Sequence, residues 1–117
     1  MTTANPDGAG LEALFASLGP PERMREFCDR RLGVLAAYDR EHGAQLVETL
    51  DAYFASGRSL AAAALRLHTH RNTILYRLRR IEKLTGVDLH DPQIELELQV
   101  ALRIAALLSA EHATATE

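Results

Sequence analysis

The fold of this chain is decided by the stretch SLAAAALRLHTHRNTILYRLRRIEKLTG, residues 59–86. Ser59 is a typical N-cap, and the alanine-rich segment 60–66 combines high helix propensity with small side chains. Residues 67–69 interrupt this helix. A longer one is predicted over 70–84, ended by the glycine that closes the stretch. A short support helix, a tight turn and a longer second helix are the parts of a helix-turn-helix.

The second helix of this motif, residues 70–84, has two chemically distinct faces on a helical wheel. The apolar face holds Ile74, Leu75, Leu78 and Ile81. The opposite face holds Asn72, Thr73, Tyr76, Arg79, Arg80 and Lys83. We therefore expect the first face to pack on the domain and the second to stay free for a partner.

The residue types on the outer face suit double-stranded DNA. Asn pairs with adenine and Arg with guanine through two hydrogen bonds, while Lys and the Tyr hydroxyl suit phosphate oxygens. Recognition helices present their N-terminal residues to base edges. Base contacts are thus expected from Asn72, Thr73 and Tyr76, and one turn further from Arg80 and Arg77. Two later residues are expected to hold phosphates, namely Arg79 and Lys83.

The start of this helix adds two further candidates. His70, when protonated, attracts phosphate. Arg71 lies on the apolar side of the wheel, so it either reaches past the helix end to a phosphate or pairs with the support helix. His68 and His70 form an H-x-H pair, but on a helix they point about 200° apart, and no Cys or carboxylate cluster is near. We expect no metal site there, and expect His68 in the left-handed backbone region.

The charge of the chain is segregated along its length. The net charge is −3 and the pI is near 5.9, values that argue against a polyanionic partner when taken whole. Residues 66–83, however, hold six of the thirteen Lys and Arg and one of the sixteen Asp and Glu, which leaves +5 there and −8 elsewhere. The basic residues therefore form one local surface on an acidic scaffold.

The rest of the chain predicts further helices and no strand, so the fold class is all-α. The helices expected from apolar spacing lie at about 11–18, 22–37, 46–54 and 92–108. A turn is expected at 39–43, and Gly57 and Asp91 are expected at helix ends. We predict a single domain at 11–110 with the helix-turn-helix at 59–84, and disordered tails at 1–10 and 111–117.

Several function classes are disfavoured by the sequence. The one cysteine, Cys28, has no partner for an intrachain disulfide, and this fits a cytoplasmic protein. We expect Cys28 in the core. No long apolar run or targeting segment is found, so no membrane contact is expected. Phosphate-binding loops and the common catalytic motifs are absent from the sequence. We therefore predict neither an enzyme nor a cofactor.

The segment from Leu46 to Ile104 resembles the C-terminal helix-turn-helix domain of PucR and CdaR-type bacterial transcriptional regulators. The resemblance is carried above all by His70-Arg71-Asn72-Thr73-Ile74-Leu75-Tyr76-Arg77-Leu78. The segments around it also resemble that domain, namely Leu32-Gly33 through Tyr38-Asp39, Leu50, Tyr53, Gly86-Val87-Asp88-Leu89 and Asp91-Pro92. It implies a homeodomain-like fold of five to six helices, related to that of the Fis family, and DNA binding. It also implies a sensory region that this chain lacks. We accordingly expect a fragment of a longer regulator, rather than a stand-alone domain.

The last predicted helix is apolar around most of its circumference, with a polar stripe of Glu95, Gln99 and Arg103. Such a helix is either fully internal or packs on a second chain or a sensory domain. We expect a homodimer, because helix-turn-helix proteins commonly read two half-sites. The main alternative function is a helical dimerisation or protein-interaction module whose basic face is only solvated, and RNA binding is a more distant one.

Overall fold

The computed structural model describes residues 8–19 and 21–115, and within them it contains six α-helices and no strand. The helices are α1 Gly8–Ala16, α2 Pro21–His42, α3 Leu46–Ala55, α4 Leu60–Arg66, α5 Arg71–Thr85 and α6 Pro92–Ala115. The predicted all-α class is confirmed. The predicted tails lie partly outside the described residues, at 1–7 and 116–117, and the division into domain and tails stays a prediction.

Five helices contribute fully buried side chains to one core. Leu35 of α2, Leu50 of α3, Ala63 of α4, Ile74 of α5 and Ala101 of α6 have no exposed surface. Each comes from the apolar face of its helix, so burial of these faces holds the helices together. The alanine in α4 lets its neighbours approach closely, as its small side chain predicts.

Cys28 belongs to this core, as expected from its position on α2. Its side chain is 8% exposed, and its thiol donates a hydrogen bond to the carbonyl oxygen of Ala101 at 3.3 Å. Burial, with a smaller contribution from the neighbouring Asp29 charge, raises the pKa of the Cys28 thiol. The residue therefore links α2 to α6 and stays a protonated thiol.

Helix α2 is longer than predicted, and the expected turn at 39–43 is wrong. The helix continues to His42 and ends at Gly43, whose φ of 62° is left-handed. The physical reason is tertiary. Asp39, in the last part of α2, accepts hydrogen bonds from the backbone N–H groups of Leu46 at 2.9 Å and Val47 at 3.1 Å. It thereby caps α3, whose own N-cap Gln45 makes no side-chain cap.

Helix α6 buries most of its apolar surface against other helices of this chain. Leu98, Ala101 and Ile104 are buried, and further apolar residues pack partly against the core, so Leu98 is internal and not part of an exposed partner surface. Leu96 remains 58% exposed. The helix runs to Ala115, beyond the predicted end near residue 108, through a segment rich in the strong helix former Ala. No helix in the described part of the chain is long and apolar enough to cross a membrane.

Helix α1 uses one of its predicted apolar positions for the core. Phe15 is 5% exposed, whereas Leu11, Leu14 and Leu18 are between 43% and 55% exposed. The helical spacing of these residues therefore does not translate into burial. One aromatic side chain anchors this segment to the domain.

Candidate nucleic-acid interface

Helices α4 and α5 form the predicted helix-turn-helix. Ser59 caps α4, since its side chain accepts a hydrogen bond from the Ala62 N–H at 3.1 Å. At the other end of α4, His68 N–H donates to the Leu65 carbonyl and Thr69 N–H to the Ala64 carbonyl. This pair of bonds is a Schellman motif, which needs a left-handed residue after the helix.

His68 is that left-handed residue, with φ of 55°. Glycine is usual at such a position, because a Cβ disfavours the left-handed conformation. The expectation for His68 is thus confirmed. The chain leaves the motif through His70, which is extended at the N-cap of α5 and makes no side-chain cap. The backbone geometry of two residues therefore sets the angle between the support helix and α5.

Helix α5 is anchored by one face and open on the other. Ile74, Leu78 and Ile81 are buried, and Leu75 is partly buried. The exposed residues on α5 and at its start are His70, Arg71, Asn72, Tyr76, Arg79 and Lys83. Thr73, Arg77 and Arg80 are half-buried. The predicted two-faced helix is therefore present, and its exposed side brings together most of the candidate contact residues.

The cations of this stretch are not neutralised by neighbouring acids. Among the described residues, no ion pair involves Arg or Lys between 66 and 83. The one acid of the stretch, Glu82, accepts a hydrogen bond from the Leu89 N–H at 2.9 Å and so serves the loop after α5. Arg71 makes no ion pair with α4 within this part of the chain, so the structure does not bear out that alternative, and its contact with a phosphate stays a prediction. The surface carries uncompensated positive charge.

Arg77 contacts the scaffold. Its guanidinium Nη1 donates a hydrogen bond to the hydroxyl Oγ1 of Thr49 on α3 at 3.1 Å. Thr49 is fully buried. The base contact predicted for Arg77 stays a prediction, and in the structure its guanidinium is hydrogen-bonded to α3.

Arg80 lies close to two tyrosine rings. Its Nη2 donates a hydrogen bond to the Tyr76 hydroxyl at 2.8 Å, which raises the pKa of the guanidinium. Its Cζ is 5.6 Å from the centre of the Tyr76 ring and 5.9 Å from that of Tyr38, on α2. Both distances are in the range of cation–π attraction. A helical wheel of α5 does not reveal Tyr38 or Thr49 beside it, because both act through contacts between distant segments.

One group of possible metal ligands lies beside the surface. Glu82, in the last turn of α5, and Asp88 and His90, in the loop after it, place ligand atoms within 4.8 Å of one another. Two of these side chains already accept backbone hydrogen bonds, Glu82 from Leu89 and Asp88 from the His90 N–H. These bonds explain the cluster as a loop-forming arrangement. His68 and His70 are not part of it.

Comparison with known proteins agrees with this geometry. Residues 46–104, half of the chain, match the family described as the PucR C-terminal helix-turn-helix domain. The chain is 37% identical over 90 residues to the purine catabolism regulatory protein of Bacillus subtilis, covering 77% of this chain and 17% of that protein. It is 28% identical over 95 residues to the proline-responsive transcriptional activator PutR of Bacillus subtilis, covering 81% and 23%.

A third relative is the carbohydrate diacid regulator of Escherichia coli, with 44% identity over 59 residues, 50% of this chain and 15% of that protein. The chain thus spans less than a quarter of the length of these three curated relatives. No solved structure matches it. The family match covers the same residues, 46–104, on which the sequence resemblance rested.

Proposed function

We propose that this chain, which belongs to the PucR C-terminal helix-turn-helix family, binds specific sequences of double-stranded DNA. In this proposal α5 lies in the major groove. Membership of this family of transcriptional regulators implies DNA binding in transcription regulation, which is not an enzymatic role. Family membership does not extend to the groove that is bound, the sequence specificity or the contact residues. These three belong to the proposal.

The observation that carries the proposal is an anchored helix with a cationic, acid-free outer face. Burial of Ile74, Leu78 and Ile81 fixes the orientation of α5, while Asn72 and Arg79 project from its exposed side. A helix of 15 residues is about 22 Å long. It fits the major groove, which admits one α-helix.

The contact residues divide by position along α5. We assign base edges to Asn72, Thr73, Tyr76 and Arg80, phosphates to Arg79 and Lys83, and phosphates near the helix start to His70 and Arg71. Arg77 is assigned a bracing role, since its guanidinium is engaged by Thr49. Its part in DNA binding is then to hold the angle of α5.

Selection from random duplexes tests this proposal. The purified chain should enrich a defined motif, and Asn72→Ala should lose about 1–3 kcal/mol on that motif through one base position. Lys83→Ala is the matched control, because a phosphate contact should weaken binding to all sequences alike. If no duplex binds at low salt, the chain is instead an interaction module with a solvated basic face.

We further propose a homodimer that acts as the output domain of a longer cytoplasmic regulator. The dimer is supported by the fact that helix-turn-helix proteins commonly bind two half-sites as dimers. The longer regulator is supported by the length of the relatives, of which this chain covers less than a quarter. Because Leu98 is internal, the α6 core face is not the interface. We expect the selection to enrich a palindromic sequence and the protein to sediment at the mass of two chains. Enrichment of a single half-site that is bound by a monomer would contradict the dimer.

A further inference from the structure

Tyr38 lies outside the helix-turn-helix, yet its ring contacts the centre of the basic face. It is half-buried on α2, and its ring centre is 5.9 Å from the Cζ of Arg80. On its own helix it is accompanied by the His42 ring, with centres 4.3 Å apart. The Tyr38 ring is therefore held in place by α2 itself, one turn before that helix ends.

Arg80 is held at three points by two tyrosines. Tyr76 supplies a ring and a hydroxyl that accepts one guanidinium N–H, and Tyr38 supplies the second ring. A guanidinium has five N–H donors, so four remain after this hydrogen bond. Among the described residues, Arg80 makes no other hydrogen bond or ion pair. The group is fixed in position while most of its donors stay free.

We propose that Tyr38 is a positioning residue for DNA recognition, whose ring, with that of Tyr76, holds the Arg80 guanidinium ready to meet a base edge. This inference rests on the proposed DNA binding by α5. An arginine loses much rotamer freedom when it binds, and a side chain that is already ordered loses less. The hydrogen bond to Tyr76 occupies one N–H of the guanidinium, and a bidentate contact to guanine needs two of the others.

The contact also joins α2 to the reading surface. Tyr76 is 59% exposed, and its hydroxyl oxygen accepts from Arg80, which leaves its own O–H free to donate to a phosphate. We expect a change at Tyr38 to reach the DNA through Arg80, the residue of the basic face that lies over its ring. This dependence separates a positioning role from a general contribution to stability.

The test is a double-mutant cycle that measures affinity for two duplexes. One is the selected duplex, and in the other the base pair that Arg80 contacts is replaced. Tyr38→Leu should reduce the preference for the selected duplex about two- to tenfold, the cost of ordering one further side chain on binding. Tyr38→Phe keeps the ring and should stay within about twofold of wild type. In an Arg80→Ala background, Tyr38→Leu should have no further effect.

Arg79→Ala is the matched control for the cycle, because Arg79 is an exposed arginine on the same helix without a ring contact. With it, the effect of Tyr38→Leu should remain in full. Equal weakening on both duplexes, or the same loss with and without Arg80, would overturn the positioning role. If the wild-type protein binds no duplex, the proposed function is contradicted. If the wild type is selective and Tyr38→Leu keeps the same preference, only this inference is contradicted.

A measurement on the DNA-free wild type covers the case in which Tyr38→Leu does not fold. The side-chain protons of Arg80 should show ring-current shifts in the NMR spectrum and couplings of one dominant rotamer. Arg79 provides the internal comparison and should show averaged couplings and no ring shift. Averaged couplings at both arginines would overturn the inference.

Discussion

Removing the hydroxyl of Thr49 should loosen the seating of α5 and leave its DNA-facing side chains unchanged. Thr49→Val keeps the β-branched shape in a fully buried position but deletes the acceptor of the Arg77 hydrogen bond at 3.1 Å. A hydrogen bond to a charged group contributes about 1.5–3 kcal/mol. Since Arg77 is half-buried and its guanidinium regains some water, we expect a loss near the lower limit, about 1.5 kcal/mol.

Urea unfolding followed by circular dichroism measures this loss, with an unchanged m-value indicating an intact native state. Arg77→Met should lose a similar amount. The double variant should be little worse than either one, because both substitutions remove the same bond. Arg79→Met is the control and should lie within about 0.5 kcal/mol of wild type, since Arg79 is exposed and makes no ion pair with the described part of the scaffold.

Two results would refute the bracing role of Arg77. One is additivity of the two substitutions, which would mean that the residues do not interact. The other is an Arg77→Met variant with wild-type stability and lost base preference at one position. The second result would return Arg77 to the base-reading role that the sequence left open.

The remaining predictions concern the turn, the α3 cap and the phosphate contacts. His68→Gly should raise stability by about 0.5–1 kcal/mol, because it relieves the left-handed strain at some cost in chain entropy; a lower melting temperature would contradict this. Asp39→Ala should lose about 2 kcal/mol in urea unfolding by uncapping Leu46 and Val47, and Asp39→Asn about half; a change under about 0.5 kcal/mol would be inconsistent with the cap. Lys83→Ala should flatten the log–log salt dependence of DNA affinity by about 0.9, and Lys83→Arg should not; equal slopes in all three proteins would remove Lys83 from the phosphate contacts.

The sequence predicts well those features that depend on adjacent residues. The Ser59 cap, the left-handed His68 and the N-terminal boundary of α6 at Asp91-Pro92 each follow from the chemistry of one or two residues, and the structure contains all three. Helical periodicity likewise identifies the buried face of α5, because one helix determines which side chains share a face.

Features that depend on contacts between distant segments are not predictable in the same way. The polar run that ends α2 predicts a turn, because nothing local indicates that Asp39 caps another helix. A helical wheel shows that α6 is apolar over a wide arc but does not say which neighbour covers it, and the neighbours belong to this same chain. For the same reason the wheel places Arg77 and Arg80 near the outer face without revealing Thr49 or Tyr38 beside them.

The most direct test of DNA recognition by α5 is an NMR titration of the ¹⁵N-labelled chain with its selected duplex. If α5 reads the DNA, the largest amide and side-chain shifts are expected at Asn72, Tyr76, Arg79, Arg80 and Lys83, and they should be lost on a duplex with a scrambled motif. Leu96, exposed on α6, serves as the reference and should not shift. Shifts concentrated on α1 or α6, with α5 unchanged, would contradict the account.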